Sequence, residues 1–119
     1  MADPRTIAEN LRTFSYAHET NIDFYGSIFG ISSIQLKVTG TPISGTGSIS
    51  GNLTGLYKGT LSYNDIEDLT NKKYQLILQR ENGNLRIDFI VPPEQQARFI
   101  FYAPLEGNKL ECTGIFQFN

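Results

Sequence analysis

The only histidine of the chain lies beside residues that could assist proton transfer. His18 follows Tyr16 closely and precedes Glu19 in the segment SYAHETN, and Asp23 comes a few residues later. An imidazole titrates near neutral pH, and a neighbouring carboxylate can orient it as a general base. Tyr16, His18 and Glu19 are therefore the candidate catalytic residues, although a histidine in a polar connection is more often simply solvated.

Aromatic side chains supply the candidate ligand-binding residues. The chain contains eight Phe and six Tyr but no Trp. A tyrosine combines a flat apolar ring with a hydroxyl group, which suits stacking on a sugar ring or packing around a small apolar molecule. The candidates are Tyr57, Tyr63, Phe24 and Tyr102.

Metal and cofactor chemistry has little support in the sequence. Cys112 is the only cysteine and there is no second histidine, so a zinc site lacks ligands. The acidic group Asp65, Glu67 and Asp68 loosely matches calcium-ligand spacing, but a calcium loop needs more oxygen ligands and a positioned glycine. No glycine-rich phosphate loop or nucleophile elbow is present. The sequence therefore predicts neither a metal ion nor a cofactor.

Length and charge limit the classes of partner. A chain of 119 residues fits one domain with one shared core. A net charge of -2 argues against a nucleic-acid partner, because such proteins concentrate lysine and arginine on one face. No run of about 18 apolar residues predicts a membrane-spanning helix. The chain start does not resemble a signal peptide, which favours a cytoplasmic location over a secreted form whose signal has been removed.

Alternation of apolar and polar residues predicts an all-β fold. This period of two begins near Asn21 and recurs along most of the chain. The stretch 39–63 is rich in Ser, Thr and Gly, and predicts strands whose glycines allow sharp coiling or close backbone approach. Asp3 followed by Pro4 predicts a short helix over residues 1–15. We expect one domain over residues 1–119, a small antiparallel barrel or sandwich of about seven to nine strands.

A first hairpin is predicted around Asn82-Gly83, a dipeptide that tolerates the positive φ angles of a two-residue turn. It joins strands at 74–81 and 85–91. Counting outward from the turn places Leu78 opposite Ile87 on the apolar face.

A second hairpin is predicted from residues 97–105 to residues 109–118, with Gly107-Asn108 as its turn. The same counting places Phe99 opposite Phe116. The inward face would then alternate large and small residues, as the interior of a barrel requires.

Two segments carry apolar residues on both faces, which points to a homo-oligomer. The first strand places Tyr25, Phe29 and Ile31 on the face opposite Phe24. The last strand adds Ile115 on its outer face. A strand that is apolar on both sides is expected where it is covered twice, in a domain interior or at a subunit contact.

Three functions fit these features. The favoured one is a non-enzymatic binding or interaction module, a barrel that holds an apolar ligand or presents its loops to a sugar or a protein. The second is a barrel enzyme of the cyclase or isomerase type with a mostly apolar interior. The third is a membrane-active assembling protein in which residues 39–63 refold into a transmembrane hairpin. The lack of a recognisable catalytic motif favours the first.

Overall fold

Eight antiparallel strands form a closed barrel in the computed structural model, which describes residues 14–51, 53–70, 72–105 and 111–119. The strands are β1 (Tyr16–Ile28), β2 (Ile31–Val38), β3 (Ser44–Ser50), β4 (Gly55–Tyr63), β5 (Lys73–Glu81), β6 (Asn84–Ile90), β7 (Phe99–Pro104) and β8 (Glu111–Phe118). A 3₁₀ turn, Ile66–Leu69, precedes β5. The helix predicted for residues 1–15 lies outside the described residues, except for Phe14 and Ser15, which are not helical.

The barrel consists of two Greek keys. Its strand order is β1-β2-β3-β8-β5-β6-β7-β4, and β4 closes the ring against β1. In each half of the chain three strands follow one another as a meander, and the fourth returns to lie beside the first. The two halves meet at two seams, where β3 pairs with β8 and β4 pairs with β7. The predicted all-β antiparallel architecture of seven to nine strands is confirmed as a barrel.

Side chains from all eight strands pack in the interior. Inward positions alternate with outward ones along each strand, and most inward side chains are at most 3% exposed. Five aromatic rings form the densest cluster, with centroid separations from 4.4 to 6.2 Å in edge-to-face and stacked pairs. These rings belong to Tyr74, Phe89, Phe99, Phe116 and Phe118. The described interior is therefore occupied by packed side chains.

The two ends of the barrel are closed differently. At the upper end, where β1 finishes, the connection from β3 to β4 crosses the opening and buries Leu53. The buried Ser32 hydroxyl fixes this connection, since it donates to the Gly51 carbonyl at 2.7 Å and accepts from the Leu53 amide at 3.4 Å. At the lower end, where β1 starts, the 3₁₀ turn inserts the buried Leu69. The Tyr74 hydroxyl holds that turn by donating to the Asp68 carbonyl at 2.6 Å.

Both two-residue hairpin turns have positive φ at both central positions, which is the type I′ geometry. In the predicted β5-β6 hairpin these residues are Asn82 and Gly83, and the predicted pairing of Leu78 with Ile87 is confirmed. The β1-β2 turn contains Phe29 at φ 53° and Gly30 at φ 78°. The expectation that Phe29 continues a strand face was wrong, because the chain reverses there.

The predicted second hairpin was also wrong. β7 pairs with β6 and β4, whereas β8 lies between β3 and β5. Phe99 is therefore opposite Phe89 and not Phe116, which faces Tyr74 and Gly47. The inward faces of both strands were assigned correctly, because a period of two determines the face of a strand without specifying its neighbour.

Glycines allow the strands to approach closely at both seams. A Cβ atom added at Gly47 would collide with the Ile115 carbonyl, and one at Gly114 would collide with the Ser48 carbonyl. At the other seam, a Cβ at Gly59 would collide with the Tyr102 carbonyl. These clashes involve backbone atoms, so a rotamer change cannot relieve them. The seams between the two Greek keys therefore require residues without a side chain.

We expect Gly47→Ala and Gly59→Ala each to lower the free energy of unfolding by about 1–3 kcal/mol, because the added methyl group forces two backbones apart. Chemical denaturation followed by circular dichroism measures the change. Thr46→Ala is the control, since this neighbouring side chain is exposed, and we expect a change within about 0.5 kcal/mol. Equal effects of Gly47→Ala and Thr46→Ala would contradict the steric explanation.

Candidate functional site

The lower rim of the barrel exposes side chains that elsewhere would point inward. Pairing of β1 with β2 begins at Thr20 and Val38, but pairing of β1 with β4 continues to Tyr16 and Tyr63. Tyr16 and His18 therefore continue the inward alternation of the buried Thr20 beyond the end of β2. Tyr16 is 55% exposed and His18 is also exposed. The unequal length of the two ladders creates an open aromatic rim.

Three rings form the rim stack, defined as Tyr16, His18 and Tyr63. The Tyr63 ring stacks against the Tyr16 ring at a centroid distance of 5.5 Å and against the His18 imidazole at 5.6 Å. Tyr63 Oη and His18 Nδ1 share a hydrogen bond of 2.8 Å. When His18 carries its proton on Nε2, the phenol donates this bond. Burial, followed by the nearby Tyr16, raises the pKa of Tyr63, so its hydroxyl keeps its proton.

A polar cleft of about 560 Å³ lies next to the rim stack in the sequence. It begins at Asn64, the residue after Tyr63, and the Asn64 side-chain oxygen accepts a hydrogen bond of 2.7 Å from the Ser15 amide. Because Ser15 directly precedes Tyr16, this hydrogen bond joins the start of β1 to the residue that follows β4 and lines the cleft. The cleft is lined by Asn64, Asp65, Asp68, Glu94, Gln95, Gln96, Ala97 and Arg98.

Ion pairs set the shape of the polar cleft. Arg98 forms two hydrogen bonds to the Glu94 carboxylate, at 2.8 and 2.7 Å, and a longer contact of 3.4 Å to the buried Asp68. Lys72 approaches the same Asp68 oxygen at 3.4 Å. Two-point contacts between guanidinium and carboxylate groups fix orientation as well as charge. The network therefore holds the Arg98 guanidinium and the carboxylates of Glu94 and Asp68 together in the lining of the cleft.

The structure separates Glu19 from the other candidate catalytic residues. Glu19 lies opposite Thr60 on the outer wall of the barrel, while the side chains of Tyr16 and His18 follow the inward face. Tyr63, predicted as a ligand-binding residue, joins Tyr16 and His18 instead. The lower rim therefore brings together two predicted catalytic residues, Tyr16 and His18, and one predicted ligand-binding residue, Tyr63.

The remaining predicted ligand-binding residues lie elsewhere. Phe24 is buried at the upper end and packs edge-to-face against the half-buried Tyr57 at 5.5 Å. Tyr102 lies on the outer wall, where its hydroxyl donates to Glu81 at 3.3 Å. There the Arg86 guanidinium, whose side chain is 12% exposed, lies 5.9 Å from the Tyr102 ring centroid. The structure thus places Phe24 in the core, Tyr57 partly buried against it, and Tyr102 in a salt-bridge cluster.

Comparison of the chain with models of known protein families, with curated proteins and with solved structures finds no match. The chemistry of the site therefore has to be inferred from its own residues.

Within the described ranges, no three His, Cys, Asp or Glu side chains are grouped so that they could hold a metal ion. None of the described helical segments has the length and apolar character needed to cross a membrane. Cys112 is buried at the upper end, as the sequence suggested, and burial raises the pKa of its thiol.

Sequence reasoning missed most of the polar cleft. Asp65 and Asp68 were noted only as a loose calcium pattern, and Glu94 and Arg98 were not considered. The local sequence contains no signal for the pair of Glu94 and Arg98, because a spacing of four residues brings side chains together on a helix and this segment is irregular. The proximity of this segment to Asp68 is a tertiary contact and leaves no mark in the local sequence.

Alkaline pH should destabilise the barrel. Burial raises the pKa of Tyr63, Tyr74 and Tyr102 in the folded state. A raised pKa means that the folded chain retains protons which the unfolded chain releases, so this contribution is complete below the ordinary tyrosine pKa of about 10 and is lost as pH rises. We expect the free energy of unfolding to fall steadily above about pH 10, as measured by urea denaturation.

Tyr74→Phe tests the largest of these contributions. It should reduce the pH slope above about pH 10 by up to about 1.4 kcal/mol per pH unit, because the phenol is almost completely buried. The variant also loses the hydrogen bond to Asp68, which shifts stability equally at neutral and alkaline pH. An unchanged slope in Tyr74→Phe would therefore contradict the expectation, whatever the stability at pH 7.

Proposed function

We propose that the protein is a non-enzymatic binding module that holds a carbohydrate at its lower rim. The observation that carries this proposal is the rim stack, in which the exposed Tyr16 and His18 rings lie against the buried Tyr63 ring, directly before a polar cleft of about 560 Å³ that begins at Asn64. A cleft of this size lies within the range of about 300–1,000 Å³ that is common for small-ligand sites.

The rim stack supplies an apolar platform. Tyr16 is more than half exposed, and its ring is held against Tyr63 with an interplanar angle of 29°. The apolar face of a sugar ring packs well on such a surface, because both partners remove apolar area from water. Tyr63 is fixed by its hydrogen bond to His18, so the platform is organised before a ligand binds.

The polar cleft supplies groups that suit neighbouring hydroxyl groups. Carboxylates accept hydrogen bonds, amides both donate and accept, and a guanidinium donates in a fixed geometry. The exposed amides of Gln95 and Gln96 lie on the same cleft as the Arg98 and Glu94 pair. A hydroxyl-rich ligand can satisfy donors and acceptors together, whereas a purely apolar ligand would leave them unpaired.

Two observations favour binding at the rim without catalysis. The inward side chains are packed against one another, which favours a ligand site on the outside of the barrel over one within it. His18 uses Nδ1 to contact Tyr63, and Glu19 faces the outer wall, so the predicted carboxylate does not orient the imidazole. The arrangement of Tyr16, His18 and Tyr63 therefore suits stacking of a ligand better than proton transfer between an acid and a base.

A glycan array followed by calorimetry with the best-binding glycan tests the proposal. We expect Tyr16→Ala to weaken binding at least about tenfold, which corresponds to about 1.4 kcal/mol, because the exposed half of the platform is removed. The double variant Gln95→Ala/Gln96→Ala should weaken binding independently through the cleft.

Tyr25→Ala is the matched control. Tyr25 lies on the same strand with a similar exposure of 46%, but on the outer wall near the upper end. Its loss should leave glycan affinity unchanged. Absence of any glycan signal from the wild-type protein, or equal losses in Tyr16→Ala and Tyr25→Ala, would refute a sugar site at this rim.

A further inference from the structure

Phe29 occupies an unfavourable position for a large apolar residue. It is 99% exposed at the tip of the β1-β2 hairpin, and its φ of 53° lies in the left-handed region. Bulky residues rarely adopt that backbone conformation, and an exposed phenyl ring gains nothing from packing. Strain of this kind at an exposed site suggests an interaction that compensates for it.

The tip continues into an apolar patch on the outer wall, the knob, defined as Tyr25, Phe29, Ile31 and Leu56. Tyr25 lies diagonally across the ladders from Ile31 on β2 and from Leu56 on β4. These three side chains are 46 to 55% exposed. Contiguous exposed apolar residues of this extent are typical of interaction surfaces.

A groove of about 630 Å³ lies on the outer wall over β3, β8 and β5. Ile115, which is 66% exposed, and Pro92 contribute apolar surface to it, and the short side chains of Thr46 and Ser48 leave room beside them. Because Phe29 is almost fully exposed, it does not fill the groove of its own chain. Lys73 stands in the groove, whereas Asp23 lies beside Leu56 in the knob.

We propose that the knob of one molecule docks in this groove of a second copy of the chain, so that the protein associates head to tail. The knob supplies a protruding aromatic side chain with the Asp23 carboxylate beside it, and the groove supplies an apolar recess and the ammonium group of Lys73. Such a contact joins two different surfaces, so a pair of molecules keeps one free knob on one molecule and one free groove on the other. The acidic net charge and the carboxylate beside the knob favour this partner over an anionic lipid surface.

The association should be weak and dependent on concentration. An aromatic side chain buries about 150–250 Å², so a knob of four residues gives an interface at or below the low end of stable complexes, about 1,200 Å². We expect sedimentation velocity to show an increasing mean mass between about 10 µM and about 1 mM protein. Phe29→Ser and Ile115→Glu should each remain monomeric over that range.

Mixing the two variants distinguishes this geometry from a symmetric dimer. Phe29→Ser retains its groove and Ile115→Glu retains its knob, so an equimolar mixture should form a dimer that cannot grow further. Ile66→Ser and Ile77→Glu are the controls, since both residues are exposed and neither belongs to the knob or the groove. Thermal unfolding should show that all four variants fold.

Three results would overturn the proposal. The first is a wild-type protein that stays monomeric across the range. The second is a pair of monomeric variants whose mixture also stays monomeric. The third is co-sedimentation of the wild type with phosphatidylserine vesicles that is lost in Phe29→Ser but retained in Ile115→Glu, since this would assign the knob to a lipid surface.

Discussion

The barrel depends on the close approach of strand backbones at its two seams. Each Greek key buries one apolar face, and neither face is covered until β8 reaches β3 and β4 reaches β7. Gly47, Gly114 and Gly59 lie where those strands meet, at positions where a Cβ would collide with the opposite carbonyl. The apolar faces are buried only in the closed ring. The few backbone atoms that meet at the seams therefore affect the stability of the whole domain.

Close seams also determine where a ligand can bind. A narrow barrel of eight strands has an interior just wide enough for side chains, and here the aromatic cluster around Phe99 occupies the lower half. Because the described interior is filled, we expect a ligand to bind where the ladders end unevenly, where a connection crosses an opening, or in a groove of the outer wall. The lower rim is such a place, because β1 extends beyond β2 and exposes Tyr16 and His18.

Local signals in the sequence predicted local structure well. Asn82-Gly83 specified both the turn and the register of the β5-β6 hairpin, and alternation assigned the inward face of β8 correctly. The turn signal at Gly107-Asn108 wrongly made β8 the partner of β7, because pairing across a Greek key depends on contacts distant in sequence. The sequence predicted sharp coiling or close backbone approach for the glycines of the stretch 39–63, which includes Gly47 and Gly59 but not Gly114. The strands that these glycines approach could not be known without the topology.

In the candidate site too, the faces of neighbours along one strand can be predicted from the sequence once the strand is known, whereas contacts between distant residues depend on the tertiary fold. The sequence placed His18 in a polar connection and grouped Glu19 with it, because the alternation becomes clear only from Asn21 onward. Once β1 is known to begin at Tyr16, the spacing puts Tyr16 and His18 on one face and Glu19 on the other. Tyr63 is 45 residues from His18, and only the β1-β4 ladder places its hydroxyl on the imidazole. On its other side β4 pairs with β7 of the second Greek key, where Ser62, the neighbour of Tyr63, lies opposite Ile100. Any change that opens the β4-β7 seam should loosen the rim platform together with the core, which links the candidate site to the same glycine contact that closes the barrel.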